Sequence, residues 1–227
     1  MKCVATMGEA LGEHLSFAGK VVVDVGCGTG DLVRWLAGLG ARATGFDTPA
    51  MLEKAQSVPR AGDERYLPGG GEALPLPDGS ADIVVWAASL HHVPGDRMRD
   101  AMAECARVLR PGGEAAYVEP VAAPGSYSEI TTLTGDEAEA RRLAYAAIRE
   151  APSFGLYPMV ESFFYFARSF ADYEHLLEAF VESVELRAEC LAQARPITER
   201  LAAAAGVAFD DFRFRSICRL NLLRRAS

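Results

Sequence analysis

Through the first half of the chain, short apolar and β-branched runs alternate with segments whose apolar positions repeat every three or four residues. Lys20 to Val25 (KVVVDV) is a β-branched run of the kind buried on both faces of a sheet. Gly26 to Gly30 follows as a glycine-rich turn. Asp31 to Leu39 then reads as a helix, with Leu32, Val33, Trp35 and Leu36 apolar. Ala41 to Phe46 (ARATGF) is a second strand, and Thr48-Pro49 has the form of an N-cap and first helical residue, opening a helix through about Gln56. Asp82 to Trp86 (DIVVW) predicts a further buried strand, and Asp96 is placed to cap the helix after it. In that helix Met98, Ala101, Met102, Cys105, Val108 and Leu109 share one face. Pro111-Gly112-Gly113 is the expected stop, and Glu114 to Glu119 the next strand. Strands alternating with helices imply right-handed crossovers and a mostly parallel, Rossmann-like, doubly wound α/β sheet, expected to have seven strands.

The second half carries a different pattern. Ala122 to Asp136 is rich in Gly, Ser, Thr and Pro and reads as a loop, and Glu137 to Glu150 as a helix. Phe154 to Phe170 is dense in aromatic residues. Two or three helices are predicted from Asp172 to about Ala205, then one or two closing strands from Phe212 to Leu223. The expected organisation is a single domain over residues 1–227. Residues 1–120 would form a ligand-binding half, about 121–205 a helical, aromatic-rich lid inserted after the fifth strand, and 206–227 the closing strands.

Charge and composition narrow the classes. The chain of 227 residues has 31 acidic and 23 basic side chains, a formal net charge of -8. That balance argues against a nucleic-acid partner, which needs a basic surface. No stretch is apolar enough for a membrane span, and Met1 to Leu15 lacks the apolar centre of a signal peptide. The five cysteines are scattered without a CxxC pair, which suggests reduced thiols, a cytoplasmic location and no metal site. The oligomeric state is not legible.

The turn Asp24-Val25-Gly26-Cys27-Gly28-Thr29-Gly30 is the most informative local feature. A glycine turn between a strand and a helix is a nucleotide-site signal. The dinucleotide fingerprint G-x-G-x-x-G fails, because its last position falls on Asp31 or Val33, and no lysine follows the glycines as a phosphate loop requires. Asp24 would also be unhelpful beside a diphosphate. A ligand that is cationic and lacks phosphate has the opposite preference. Asp47, ending the second strand, is placed to accept hydrogen bonds from both hydroxyls of a ribose.

These residues carry a family resemblance. The turn DVGCGTG, the acid Asp47, the run from Glu72 to Asp78 (EALPLPD), Asp82 to Val85, Leu90-His91-His92-Val93 and Leu109 to Gly113 (LRPGG) occur in order. Together they resemble the class I S-adenosylmethionine (SAM)-dependent methyltransferases, in particular the small-molecule branch that includes ubiquinone and menaquinone biosynthesis enzymes. The resemblance covers roughly residues 15–120. It implies transfer of the SAM methyl group to an oxygen, nitrogen or carbon atom of a small metabolite, with S-adenosylhomocysteine as product. By the same resemblance Asp24, Gly26, Cys27, Gly28 and Gly30 would line the methionine part, and Asp47 would hold the ribose with Thr48 and Met51 nearby. Glu72, Ala73 and Leu74 would sit at the adenine edge, and Ala87 would offer backbone to the amino group. The family often has an Asp two positions before the glutamate, where this chain has Gly69-Gly70-Gly71.

Methyl transfer from a sulfonium needs alignment and exclusion of water, and a general base only when the acceptor holds its proton tightly. His91 and His92 are the base candidates, His92 the better placed, although a role in capping the strand and packing beneath the cofactor is favoured for the pair. From the aromatic stretch, Tyr157, Tyr165 and Arg168 are the polar side chains expected to face an acceptor, with Glu119 and Tyr127 secondary. Three other functions fit the sequence less well. They are a SAM-binding sensor without turnover, a methyltransferase acting on protein or RNA, and a NAD-dependent oxidoreductase.

Overall fold

The computed structural model describes residues 2–4, 6–121, 137–171, 175, 196–197, 199–200, 203 and 213–227. Eight strands form one sheet: β1 Lys2–Cys3, β2 Val21–Val25, β3 Arg42–Asp47, β4 Glu64–Pro68, β5 Ala81–Ala87, β6 Leu109–Pro120, β7 Leu156–Ser169 and β8 Arg213–Arg225. Their order is β1-β7-β8-β6-β5-β2-β3-β4. Only β8 runs against its neighbours, pairing antiparallel with both β6 and β7. The expected seven strands are thus present, and the two-residue β1 adds an edge beside β7.

Side-chain alternation along the central strands divides the molecule into two cores. Val23, Val84, Trp86, Ala115 and Tyr117 point to one side, where α4 (Met98–Val108) and α5 (Ala138–Arg149) pack. Val22, Ile83, Val85, Ala116 and Val118 point to the other, beneath α1 (Met7–Gly12), α2 (Asp31–Gly38) and α3 (Pro49–Gln56). Neither face of these strands meets water, which is why their sequences are continuously apolar rather than alternating. The expected apolar face of α4 is wholly buried from Met98 to Val108.

After the short edge strand β1, the chain enters the sheet at its middle with β2. It leaves β2 for β3 and β4 on one side, then crosses back to pair β5 with the other side of β2. Helices therefore diverge from the carboxyl ends of β2 and β5, and the crevice between them is where such sheets hold ligands.

Several local expectations are corrected. The aromatic segment forms β7, not a helical lid; Phe164 is buried in the second core while Tyr157 and Phe163 are exposed. A long edge-side strand with alternating burial explains the aromatic density as well as a lid would. Asp96 lies in a short 3₁₀ turn, and Arg97 occupies the N-cap of α4. Thr48 holds the N-cap position of α3 without a side-chain cap bond. Pro111-Gly112-Gly113 falls inside β6, near the register shift against β5 between Ala81 and Ile83, and α4 ends directly into that strand. The strand β4 was not predicted: most of its residues are exposed or half-buried, so it lacks an apolar run. The loop expected at Ala122 to Asp136 and most of the helical stretch from Asp172 to Ala205 lie outside the described residues.

Candidate functional site

Past Val25 the backbone must turn sharply to enter α2, and the glycines make that possible. Gly26, Gly28 and Gly30 have φ of +74°, +53° and +79°, in the left-handed region that a Cβ disfavours. The amides of Gly26 and Cys27 both donate to the Phe46 carbonyl, at 2.8 and 3.1 Å, tying the turn to β3. A Cβ on Gly26 would lie 2.5 Å from Ser89 Cβ, so the turn also packs against the loop leaving β5. A Cβ on Gly28 would meet only Met51 Cε at 3.8 Å. Gly28 therefore presents bare backbone to open space.

That space is a cavity of about 580 Å³, within the range of small-molecule sites. Asp24, Gly26, Cys27, Gly28, Asp47, Thr48, Met51, Ala87 and His92 line it, as the sequence suggested. Met7, Thr29, Asp31, Leu32, Ala88 and Ser89 also line it and were not anticipated. Thr29, Asp31 and Leu32 could have been found by extending the turn into the first helical residues. Met7 comes from a helix with no motif. Ala88 has a φ of +56°, unusual for a residue with a Cβ, where the chain bends out of β5. The Ser89 hydroxyl donates to the Val25 carbonyl at 2.5 Å.

Two acids dominate the electrostatics. Asp24 is buried, and its Oδ1 has no hydrogen-bond partner. Burial, and secondarily the nearby Asp47, push its pKa up to about 7. A buried carboxylate left in this state favours a cation beside it. Asp47 is already oriented: Oδ2 accepts from the Gly28 amide at 2.8 Å and Oδ1 from the Thr48 amide at 2.7 Å. Each of its oxygens keeps a lone pair for a further donor. SAM fits this donor set. Its cationic methionine end would suit Asp24 and its ribose hydroxyls would suit Asp47, with the glycine backbone leaving room between them.

Other expected residues lie elsewhere. Gly30 faces inward, where a Cβ would meet the Tyr66 ring at 2.7 Å. Glu72, Ala73 and Leu74 do not line the cavity. Leu74 is buried in the first core and donates its amide to Glu104 Oε1 at 2.6 Å. The glycine triplet before them has a packing reason, since a Cβ on Gly71 would overlap the buried Trp86 ring at 2.0 Å. Tyr157 lies at the start of β7 after Leu156, level with Arg224 and thus with Glu114, just before the buried run of β6. It therefore sits at the end of the sheet away from the cavity. Tyr165 lies at the correct end but stacks under Arg215, whose guanidinium is 5.0 Å from the ring centre. Arg168 lies farther along β7, opposite Phe214; its side chain is outside the described residues, as is Tyr127.

The two histidines have different settings. Leu90 to His92 form a 3₁₀ turn just past β5. His91 is buried, with Nδ1 2.5 Å from Glu119 Oε2. The other oxygen of Glu119 accepts the Leu90 amide at 2.9 Å. His92 reaches the cavity wall, its ring centre 4.1 Å from that of His91. Burial, then the neighbouring His91, holds the His92 pKa below the ordinary imidazole value. The ring is thus neutral at neutral pH and able to accept a proton. A ring nitrogen of each histidine and a carboxylate oxygen of Glu137 lie within 4.8 Å of one another, with Glu137 also paired to Arg141.

Residues 23–117 match a family described as a methyltransferase domain. Over 127 residues the chain is 37% identical to a malonyl-[acyl-carrier protein] O-methyltransferase of Serratia marcescens, covering 53% of this chain and 45% of that protein. Over 123 residues it is 32% identical to a ubiquinone biosynthesis O-methyltransferase of Nitrosococcus oceani, covering 52% and 51%. The chain thus spans about half the length of these curated relatives. Among solved structures, a candidate methyltransferase from Bacillus halodurans C-125 superimposes with a TM-score of 0.70 at 17% identity, covering 97% of this chain and 99% of that one. The [4+2]-cyclase SpnF superimposes with a TM-score of 0.65 at 18% identity, covering 97% and 80%. At such identities the structural likeness concerns the fold alone. With the sheet order, the glycine turn between two acids and the matched segment on the page, residues 23–117 of this chain form a methyltransferase domain, set in a sheet with the fold of the solved candidate methyltransferase above.

Proposed function

We propose that the chain transfers the methyl group of SAM to an oxygen, nitrogen or carbon atom of a small-molecule acceptor. The observation that carries this reading is Asp24, a buried carboxylate with an unsatisfied oxygen beside an open glycine turn. Such a group is costly unless a cationic ligand completes it. SAM supplies a methyl group already activated by its sulfonium. The chain's own residues then have three tasks. Asp24 and Asp47 fix the two ends of the ligand. The glycine turn lets it lie against backbone. Ala88, Ser89 and His92, the last of them exposed, border the face where an acceptor enters and align it. When the acceptor is a hydroxyl, His92 takes its proton, because burial keeps that imidazole neutral. The two relatives named above are both O-methyltransferases, which favours oxygen as the acceptor atom.

The neighbour that is a cyclase, on the same fold, makes turnover rather than binding the deciding test. Purified protein is incubated with SAM and a panel of small hydroxyl, carboxyl, amine and activated-carbon acceptors, and S-adenosylhomocysteine is measured. Acceptor-dependent product supports the proposal. Tight SAM binding without product from any acceptor class would favour a binding protein instead.

A further inference from the structure

We infer that Glu119 is a positioning residue for the reaction proposed above: from the end of β6 it holds the 3₁₀ turn and the His91 ring that together set His92 at the cavity wall. This inference rests on the methyltransferase reading. Glu119 is 1% exposed, and both its oxygens are committed across 28 or 29 residues of sequence. One oxygen accepts the Leu90 amide, the first residue of the turn. The other meets His91 Nδ1 at 2.5 Å, fixing the ring in the plane against which His92 rests. A carboxylate that orients one imidazole, and through it a second at the reacting face, resembles in logic the acid that orients a catalytic histidine. For Glu119 to hold the ring by accepting, His91 carries its proton on Nδ1.

Glu119 also acts through its charge. The groups that bear on His92 are His91 and Arg141, which lower its pKa, and Glu137 and Glu119, which raise it. Removing the Glu119 charge while keeping an oxygen acceptor should therefore shift His92 downward without breaking the turn. Glu119 does not line the cavity.

The test uses the full chain with S-adenosylhomocysteine as the probe ligand and nitrogen-labelled histidine. In the wild-type protein, long-range proton–nitrogen spectra should show His91 protonated at Nδ1 and His92 titrating below the ordinary imidazole range. In Glu119→Gln, His92 should titrate at lower pH by a few tenths of a unit or more, with ligand affinity within about twofold of wild type. An unchanged His92 titration in a folded Glu119→Gln protein overturns the inference. So does wild-type His91 with a bare Nδ1, a measurement that stands even if the variant does not fold. A wild-type protein that does not bind S-adenosylhomocysteine would instead remove the functional reading, and a folded variant that loses the ligand would make Glu119 part of the cofactor site.

Discussion

The β2–β5 side of the sheet and the β7–β8 side solve different problems with similar residue types. Around β2 and β5 every apolar side chain has helices over it on both faces, and the carboxyl ends open into the cavity. The β7–β8 pair is long and antiparallel, with fourteen and thirteen residues, and exposes Tyr157, Met159 and Phe163 on β7. The first region is specialised by backbone geometry and two acids. The second is mainly sheet, and its aromatics serve β-structure at least as much as ligand contact. The cavity lies where strand order reverses, not where aromatic residues are densest.

Substitutions can sharpen this contrast. Gly26→Ala should have the largest effect. It combines a positive φ with a Cβ 2.5 Å from Ser89 Cβ, so calorimetry should show SAM binding lost and the protein destabilised by roughly 2–4 kcal/mol.

Asp24→Asn should lower SAM affinity by roughly two orders of magnitude while raising the stability of the ligand-free protein. The sign follows from the raised pKa. The folded protein holds a proton on Asp24 up to about pH 7, whereas the unfolded chain releases it near 4. The wild type therefore loses stability progressively from about pH 4 to about 7 relative to Asn, and the gap in Tm should grow over that window and level off above it. The same ionisation governs binding. A cationic ligand needs the ionised carboxylate, so wild-type SAM affinity should fall by up to tenfold per unit below about pH 7. A flat profile in Kd from pH 5 to 8 would contradict the role given to Asp24.

Asp47→Ala should weaken SAM by about tenfold, through the lost ribose contacts and the released Gly28 amide. On the other side of the sheet, Phe164→Ala should destabilise by about 3–5 kcal/mol, because the ring is buried in the second core, yet leave the affinity of the folded protein near wild type. Tyr157→Ala should be the smallest change, within about 0.5 kcal/mol and without effect on SAM binding in titration calorimetry. A large loss of affinity in Tyr157→Ala would erase the contrast between the two regions.

What the sequence revealed follows the same division. The placement of the glycine turn and of Asp47 at the cavity was legible because each follows from local backbone geometry at the end of a buried strand. The strand β4 was not, since an edge strand with exposed side chains carries no periodic signal. The aromatic segment misled because a strand alternating between a core and solvent is as rich in aromatics as an apolar pocket wall. Glu72 to Leu74 were drawn to the adenine edge by resemblance, whereas Gly71 packs on Trp86 and Leu74 in the core, leaving Glu72 half-buried and Ala73 exposed outside the cavity lining. The Glu119–His91 contact joins residues 28 apart, one on β6 and one in the 3₁₀ turn past β5, a pairing that only the folded sheet brings together.

The most direct measurement is a crystal structure of the protein with S-adenosylhomocysteine. Density should lie along the Gly26–Gly28 backbone, with the amino group at Asp24 and the ribose hydroxyls at Asp47. Ligand bound away from that turn, or bound there with Asp24 still without a partner, would contradict the assignment of the site.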